Sequence, residues 1–238
     1  MPLRIGFDMD GVLADFAAAF REHESRLCGS TANDGGPPKV RERRRDGSEG
    51  ELDPEEEEAR QARVQAESRR REDAVWKAIE GTSDFWTTLR PLDAGAVRRI
   101  HELMLRHRWE VFFITQRPFT EGETVQRQTQ RWLVAQGFDL PTVIVLKGSR
   151  GQAAAALGLD YHVDDRPQNC VDVGADSDAK TILIVPQSRS TAIASARKLG
   201  IGVAHSIGEA LDILDQATLA QTNPSLFQRV AKMVGWKQ

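Results

Sequence analysis

The sequence predicts an α/β protein: a Rossmann-like, doubly wound parallel sheet with an all-helical insertion after the first strand. Short apolar runs rich in β-branched residues alternate with segments of helical periodicity over most of the 238 residues. Between residues 16 and 89, in contrast, no strand-like run occurs. Strands joined by helices of this length imply right-handed crossovers, and such crossovers produce a doubly wound sheet.

Five buried strands are predicted from the apolar runs, at residues 3–7, 111–114, 143–146, 161–163 and 182–185. The helices between them are predicted from polar residues that can cap an apolar stripe. These caps are Asp93 for one helix, the Thr120–Glu123 capping box for a second and the Ser206–Glu209 capping box for a third. Gly137 is expected to end the second of these helices.

The insertion divides the chain into parts with different compositions. The predicted parts are a core of residues 1–15 and 90–220, a helical cap of residues 16–89 and a C-terminal helix of residues 221–238. Within the cap, residues 29–52 are rich in Gly, Pro and charge and are predicted to form a mobile loop. Pro54 and the glutamates after it predict a helix start, because proline and acidic groups suit the first turn.

The composition excludes several classes of protein. A net charge of −3 gives no general attraction to nucleic acid or to an anionic membrane. The sequence contains no apolar run approaching the roughly 20 residues that span a bilayer, and Asp8 and Asp10 interrupt the N-terminal apolar stretch. Two cysteines imply no disulfide framework. We therefore expect a cytoplasmic protein with no membrane partner.

Two acidic pairs follow two of the predicted strands. Asp8 and Asp10 come after the first strand, and Asp164 and Asp165 come after the fourth. Ligands of open parallel sheets bind outside the carboxyl ends of the strands, so we expect these acids to converge. Like charges about 4 Å apart cost roughly 4 kcal/mol at an effective dielectric of 20, and a divalent cation removes this cost. An all-oxygen set suits Mg²⁺. The alternative is that the acids only cap helices or lie in turns.

These residues resemble the four motifs of the haloacid dehalogenase (HAD) superfamily. The matching segments are DMDGV at 8–12, Thr115, Lys147 and the acid pair at 164–165. A closer resemblance is to the 5′(3′)-deoxyribonucleotidases of that superfamily. It rests on DMDGVLADF at 8–16, FWTTLRPLDAGAV at 85–97, EVFFIT at 110–115 and VDDRP at 163–167. The resemblance implies a HAD-like core whose cap is the insertion after the first strand.

The resemblance also implies a mechanism. Asp8 would attack phosphorus and form an aspartyl-phosphate, and Asp10 would protonate the leaving group and then activate water. Asp10 must then start protonated, which we expect from crowding by the other acids. Mg²⁺ would be held by Asp8, the Asp10 carbonyl, Asp164 and Asp165.

Phosphate would be bound by residues near the second and third motifs. Thr115, Gln116 and Lys147 are the expected ligands, and Gly11 would let the backbone turn closely around the phosphate. Arg150 is an alternative to Lys147. The relatives usually have Thr-Ser-Pro in the second motif, whereas this chain has Thr-Gln-Arg-Pro at 115–118. Arg117 is therefore expected near the substrate and points to an altered specificity.

Aromatic residues of the cap are candidates for stacking on a base. Phe16, Phe85 and Trp86 occupy positions where the related nucleotidases have such residues, with packing of the cap on the core as the alternative. Packing is the preferred role for Trp76. His162, beside the second acid pair, is expected to point to the opposite face of its strand and to be packed or hydrogen bonded.

The predicted function is a Mg²⁺-dependent phosphomonoesterase that hydrolyses a (deoxy)nucleoside monophosphate. A phosphatase of sugar phosphates or other small metabolites is an alternative with the same chemistry. A nucleic-acid-binding protein is a second alternative because Lys39 to Arg45 form a basic arm, although the acidic residues after it favour self-neutralisation. An inactive relative that binds a partner is a third. The oligomeric state stays open, and a homodimer is possible.

Overall fold

The sheet of this protein consists of six parallel strands in the order β3-β2-β1-β4-β5-β6. The computed structural model describes residues 2–31, 54–220 and 236. The strands are β1 Arg4–Asp8, β2 Glu110–Thr115, β3 Thr142–Val145, β4 Tyr161–Asp164, β5 Lys180–Ile184 and β6 Gly202–Ala204. The chain runs outward from β1 to β3 and then returns to the other side of β1. The topological switch point therefore lies between β1 and β4, which pair through Ile5 and Tyr161.

The predicted α/β class is confirmed, and the five predicted strands agree with the observed strands to within two residues. One strand was missed. β6 contains only Gly202, Val203 and Ala204, which is too short an apolar run to be recognised from its pattern. It nevertheless pairs in parallel with β5 and completes the sheet.

Eight helices surround and extend the sheet within the described ranges. They are α1 Phe16–Thr31, α2 Pro54–Glu80, α3 Ala96–His107, α4 Val125–Ala135, α5 Arg150–Leu157, α6 Pro167–Asp176, α7 Ser190–Lys198 and α8 Ile207–Ala220. None of these described helices is both long enough and apolar enough to cross a membrane.

The cap segment, which lies between β1 and β2 in the sequence, contains α1 and α2. These two helices pack on each other. Helix α1 extends to Thr31, so the loop predicted from residue 29 cannot start before residue 32. The rest of that predicted loop lies outside the described residues. Helix α2 begins at Pro54 as predicted. The predicted C-terminal helix also lies outside the described residues, except for Trp236.

Two of the predicted helix caps are wrong. Helix α3 has Gly95 as its N-cap, and Asp93 instead accepts a hydrogen bond of 2.8 Å from the Gly95 N–H. Helix α4 is capped by Thr124, about one turn later than the predicted Thr120. The Thr120 side chain is fully buried and exchanges hydrogen bonds with Gln128. The Ser206 prediction is confirmed, because the Glu209 N–H donates to Ser206 Oγ at 3.1 Å.

Both ends of the cap segment are fastened to the core. At the base, the Asp15 N–H donates to the Arg90 carbonyl at 2.9 Å and the Leu92 N–H donates to the Leu13 carbonyl at 2.8 Å. Ile79, near the end of α2, is completely buried in the main hydrophobic cluster. Burying such a side chain contributes about 1.5–3 kcal/mol.

The segment that follows α2 is also tied to the loop after β2. The Glu121 N–H donates to the Glu80 carbonyl at 2.8 Å, and the Asp84 N–H donates to the Glu121 carbonyl at 2.8 Å. A short 3-10 turn, Phe85–Thr87, then places Phe85 and Trp86 in the buried core. The position of Trp86 is therefore set by the cap and by the loop after β2 together.

Candidate active site at the carboxyl ends of the central strands

The structure brings three of the four predicted acids together. Asp8 ends β1 and Asp164 ends β4, so pairing of these two strands places their carboxylates at the same edge of the sheet. One carboxylate oxygen from each of Asp8, Asp164 and Asp165 lies within 4.8 Å of the others. The side chain of Asp10 is not part of this group and contacts Arg117 instead.

Burial and mutual repulsion make two of these three acids costly to ionise. Burial and then the Asp164 charge raise the pKa of Asp8 well above its usual value. The same two causes raise the pKa of Asp165 to about 6. Burial alone would also raise the pKa of Asp164, but hydrogen bonding to His162 and the nearby Arg150 hold it below its usual value.

The acidic group fits a divalent cation. Its donors are all carboxylate oxygens, which Mg²⁺ prefers. Asp165 Oδ1 is buried and has no hydrogen-bond partner within the described part of the chain. A buried acceptor without a partner costs about 1–3 kcal/mol, and a bound cation would satisfy it. Asp8, Asp164 and Asp165 are therefore the side chains that would hold Mg²⁺.

Arg150 is the cation that the structure places on these acids. Ser149 caps helix α5, and Arg150 is the first residue of that helix. Its Nη2 donates to Asp8 Oδ1 at 2.5 Å, and its Nε lies 3.4 Å from Asp164 Oδ2. Lys147, which the family motif favoured, is exposed and does not line the cavity beside Asp8. Arg150, the alternative, is buried there.

Asp10 is held by Arg117. The Nε of Arg117 donates to Asp10 Oδ2 at 2.9 Å and its Nη2 donates to Asp10 Oδ1 at 2.7 Å. Both oxygens of Asp10 thus accept hydrogen bonds from one guanidinium. The expected protonation of Asp10 stays a prediction.

A cavity of about 400 Å³ opens beside Asp8 and Asp10. Its walls combine acids, arginines and cap aromatics. The lining residues are Asp8, Asp10, Phe16, Trp76, Glu80, Trp86, Thr115, Gln116, Arg117, Pro118, Arg150 and Arg166. Thr115 and Gln116, the two phosphate ligands predicted from the second motif, thus both line the cavity. Gln116 also donates to the Gly148 carbonyl at 2.8 Å, which joins the loops after β2 and β3.

The cap aromatics form one packed cluster at the cavity wall. The Phe16 ring stacks on Trp76 with 5.3 Å between centroids and lies tilted to Trp86 at 5.6 Å. Phe85 meets Phe16 edge to face at 6.4 Å, but it is buried in the core and does not line the cavity. Trp76, expected only to pack, does line the cavity. Phe16, Trp76 and Trp86 therefore pack on one another and also line the cavity.

Two small features shape the acidic group. Gly11 has φ +89°, and a Cβ atom there would collide with the Asp165 carboxylate, so only glycine fits. His162 is completely buried, and its Nε2 lies in hydrogen-bond contact, 3.0 Å, with Asp164 Oδ2. The predicted hydrogen bond is present, but the predicted direction is wrong. Residues two apart in a strand share a face, so His162 points with Asp164.

Sequence reasoning missed Asn169. Its Nδ2 donates to both oxygens of Asp164, at 3.0 and 3.1 Å, and the Arg166 N–H donates to Asp164 Oδ1 at 2.9 Å. Asn169 lies in the first turn of α6, which begins at Pro167, and this position could have indicated it. Together these donors and His162 fix the orientation of the Asp164 carboxylate.

The sequence matches no protein-family model and no curated protein. Solved structures are similar in fold. A HAD family hydrolase from Deinococcus radiodurans R1, with bound phosphate and sodium, superposes with a TM-score of 0.53 at 13% identity over 99% of each chain. A Thermotoga maritima protein described as a candidate beta-phosphoglucomutase superposes with a TM-score of 0.50 at 17% identity, over 89% of this chain and 98% of that one. The chain therefore has the α/β fold of the HAD-like hydrolases.

Proposed function

We propose that this protein is a Mg²⁺-dependent phosphomonoesterase in which Asp8 is the nucleophile. The observation that carries the proposal is the position of Asp8, a buried carboxylate beside an open cavity and within 4.8 Å of two further acids. The bound phosphate named for the Deinococcus radiodurans hydrolase is consistent with it.

In the first half of the reaction, an Asp8 oxygen attacks phosphorus and the ester P–O bond breaks. The product is an aspartyl-phosphate, and the leaving alkoxide takes a proton from Asp10. Thr115, which lines the cavity and is almost fully buried, can donate its hydroxyl to a phosphoryl oxygen. Arg150, which lines the same cavity, can also donate to the phosphoryl group.

In the second half, water attacks the aspartyl-phosphate. Asp10 removes a proton from that water, the Asp8–phosphate bond breaks, and inorganic phosphate leaves. Mg²⁺ held by Asp8, Asp164 and Asp165, together with the Asp10 carbonyl, would offset the negative charge of the phosphoryl oxygens. Asp8 returns to its starting state.

The proposed substrate is a nucleoside monophosphate, such as a deoxyribonucleotide. The cavity volume of about 400 Å³ and its aromatic wall support this class. A phosphatase of sugar phosphates or other small metabolites is the second candidate. One observation favours it: Phe16 and Trp76 stack on each other, and Arg117 covers Trp86, so these rings have fewer free faces for a base.

The proposed partner is thus a small phosphorylated molecule, and the proposed location is the cytoplasm, which suits a chain with two cysteines. The basic arm from residue 39 to residue 45 lies outside the described residues. Nucleic-acid binding therefore remains an alternative that rests on the sequence alone.

The test is hydrolysis of a panel of phosphate esters with Mg²⁺, comparing the wild type with Asp8→Asn. We expect Asp8→Asn to lower kcat by at least about 10³-fold, because loss of a nucleophile removes the whole covalent route. Asp139→Asn, at an exposed aspartate far along the chain, is the matched control. Trapping phosphate on Asp8 by mass spectrometry identifies the intermediate.

Retention of activity in Asp8→Asn would remove the nucleophile assignment. If nucleotides are hydrolysed no better than simple phosphate esters, the nucleotidase proposal fails while the phosphatase proposal stands.

A further inference from the structure

Arg117 stands where the related nucleotidases differ from this chain, and its contacts are directed at Asp10 rather than at open space. Its side chain is completely buried, whereas 24% of the Asp10 side chain is exposed to the cavity. Two N–H groups of Arg117 meet the two oxygens of Asp10. Such a bidentate pair fixes the plane of a carboxylate as well as its position.

Arg117 is itself immobilised on three sides. Its Nη1 donates to Thr129 Oγ1 on α4 at 3.0 Å, and its guanidinium carbon lies 4.7 Å from the centre of the Trp86 ring. Trp86 is held in turn, because its Nε1 donates to the Pro118 carbonyl at 3.1 Å and its N–H donates to Gln128 Oε1 at 3.0 Å. The guanidinium therefore has little freedom to swing towards a substrate.

Arg166 offers a useful contrast. It lines the same cavity, but it is exposed, and within the described residues no ion pair of its side chain occurs. An arginine that recognises the substrate is expected to have these properties. Arg117, buried and fully engaged, has the properties of a support.

We propose that Arg117 is the positioning residue that orients Asp10 for its two proton transfers. This inference rests on the proposed phosphatase function. The Arg117 guanidinium keeps one edge of the Asp10 carboxyl group occupied, so proton transfer takes place at its other edge. In the first half-reaction the proton that Asp10 carries there passes to the leaving oxygen, and in the second half-reaction the same edge takes a proton from water. Without Arg117, the Asp10 side chain loses its fixed plane.

The test uses Arg117→Lys, which keeps the charge but cannot form the bidentate pair. The two substrates are an alkyl phosphate, whose leaving group needs a proton, and p-nitrophenyl phosphate, whose leaving group does not. The measurement is the single-turnover rate of release of the alcohol or of nitrophenol, with KM determined in parallel. This step isolates the proton donation by Asp10.

We expect release of the alkyl leaving group to slow by about 10²-fold or more, since general acid catalysis contributes 10²–10⁴-fold. Release of nitrophenol should slow by less than about tenfold, and KM for both esters should change little. Arg127→Lys is the control, because Arg127 forms an exposed ion pair with Glu123. It should behave as the wild type does.

Equal slowing of both esters, a rise in KM for both, or no change would overturn the inference. If Arg117→Lys fails to fold, Thr129→Val decides, because it removes one anchor of Arg117 and leaves the arginine in place. In this variant, release of the alkyl leaving group should again slow more than release of nitrophenol, by a smaller factor than in Arg117→Lys. Equal slowing of the two esters would contradict the inference. A wild type that hydrolyses neither ester refutes the phosphatase function itself, which separates the two failures.

Discussion

At the scale of single residues, two arginines pair with three of the four acids of the site. Arg150 pairs with Asp8 and Asp164, and Arg117 pairs with Asp10. Removing one partner of a buried pair leaves an uncompensated charge and typically costs about 3–5 kcal/mol. Asp8, Asp10 and Asp164 each have an arginine beside them, whereas Asp165 has no such ion pair among the described residues. Four carboxylates and two guanidiniums leave an excess of negative charge, which a bound cation would offset.

Tyr161 permits a direct spectroscopic test of burial, because it is the only tyrosine in the chain. Burial, followed by the charge of Asp160, raises its pKa from 10.0 to about 12. At pH 11 we expect about one tenth of the phenol to be ionised in the folded protein and about nine tenths in urea. Absorbance at 295 nm measures the phenolate, with far-UV circular dichroism to confirm that the protein is folded.

The same shift makes stability depend on pH. The raised pKa means that the folded state disfavours the phenolate. The stabilisation of the folded state by the neutral Tyr161 phenol is therefore fully present below pH 10 and is lost as the pH rises towards 12. Tyr161→Phe should abolish the 295 nm signal and remove this loss of stability between pH 10 and pH 12. A phenolate titration near pH 10 in the folded protein would show that Tyr161 is accessible.

At the scale of elements, α2 changes character along its length. Val64, in the first half, is 61% exposed, whereas Val75 and Ile79 near the end are buried in the main hydrophobic cluster. The part of the helix around Val64 therefore projects from the core, and the exposed Glu67–Arg71 pair near the middle of the helix adds a polar contact within it. The end of the helix is stabilised instead by burial of its apolar side chains in the core.

Paired substitutions in α2 test this division. Ile79→Ala should lower the free energy of unfolding by about 2–5 kcal/mol, since it leaves a cavity in a packed core. Val64→Ala should change it by less than about 0.5 kcal/mol, because an exposed side chain has few contacts to lose. Urea denaturation of both variants gives the two values. Similar values for both would mean that the end of α2 is not part of the cooperative core.

Several elements could be predicted from sequence because their signals are local. The strands follow from β-branched apolar runs, and convergence of Asp8 with Asp164 follows from the rule that ligand sites lie at strand ends. The boundary of α4 could not be predicted in this way. Thr120 and Thr124 both precede the apolar stripe, and only the burial of Thr120 against Gln128 decides between them.

The pairing of side chains was harder to predict than their presence. Whether Lys147 or Arg150 reaches Asp8 depends on where α5 begins, and Ser149 sets that start. The contact of Arg117 with Asp10 depends on the path of the loop after β2 and on Trp86, which is distant in sequence. Such contacts depend on tertiary structure, and neither propensity nor spacing contains them.

At the scale of the whole molecule, the proposed cation site would link metal binding to folding. Asp8 is far in sequence from the adjacent Asp164 and Asp165, so the three carboxylates come together only in the folded state. A cation that binds only the folded state stabilises it by about 2.7 kcal/mol at a concentration one hundred times Kd. For a chain of this length, that corresponds to a rise of roughly 5–10 °C in Tm.

We therefore expect Mg²⁺ to raise Tm in calorimetry and EDTA to reverse the rise. Asp164→Asn should abolish most of the effect, since it removes an anionic ligand from the centre of the group. Asp178→Asn, at an exposed aspartate, should retain it. An undiminished rise in Asp164→Asn would place the stabilising ion elsewhere on the protein.

The shared role of Trp86 limits how freely the helical insertion can be exchanged. The tryptophan belongs to the segment through which the insertion rejoins the sheet, and its ring packs against the Arg117 guanidinium that contacts Asp10. A chimera with a foreign insertion would keep Asp8 at the end of β1 but would lose the ring that lies against Arg117. Exchange of the insertion therefore also changes the surroundings of the arginine that contacts Asp10.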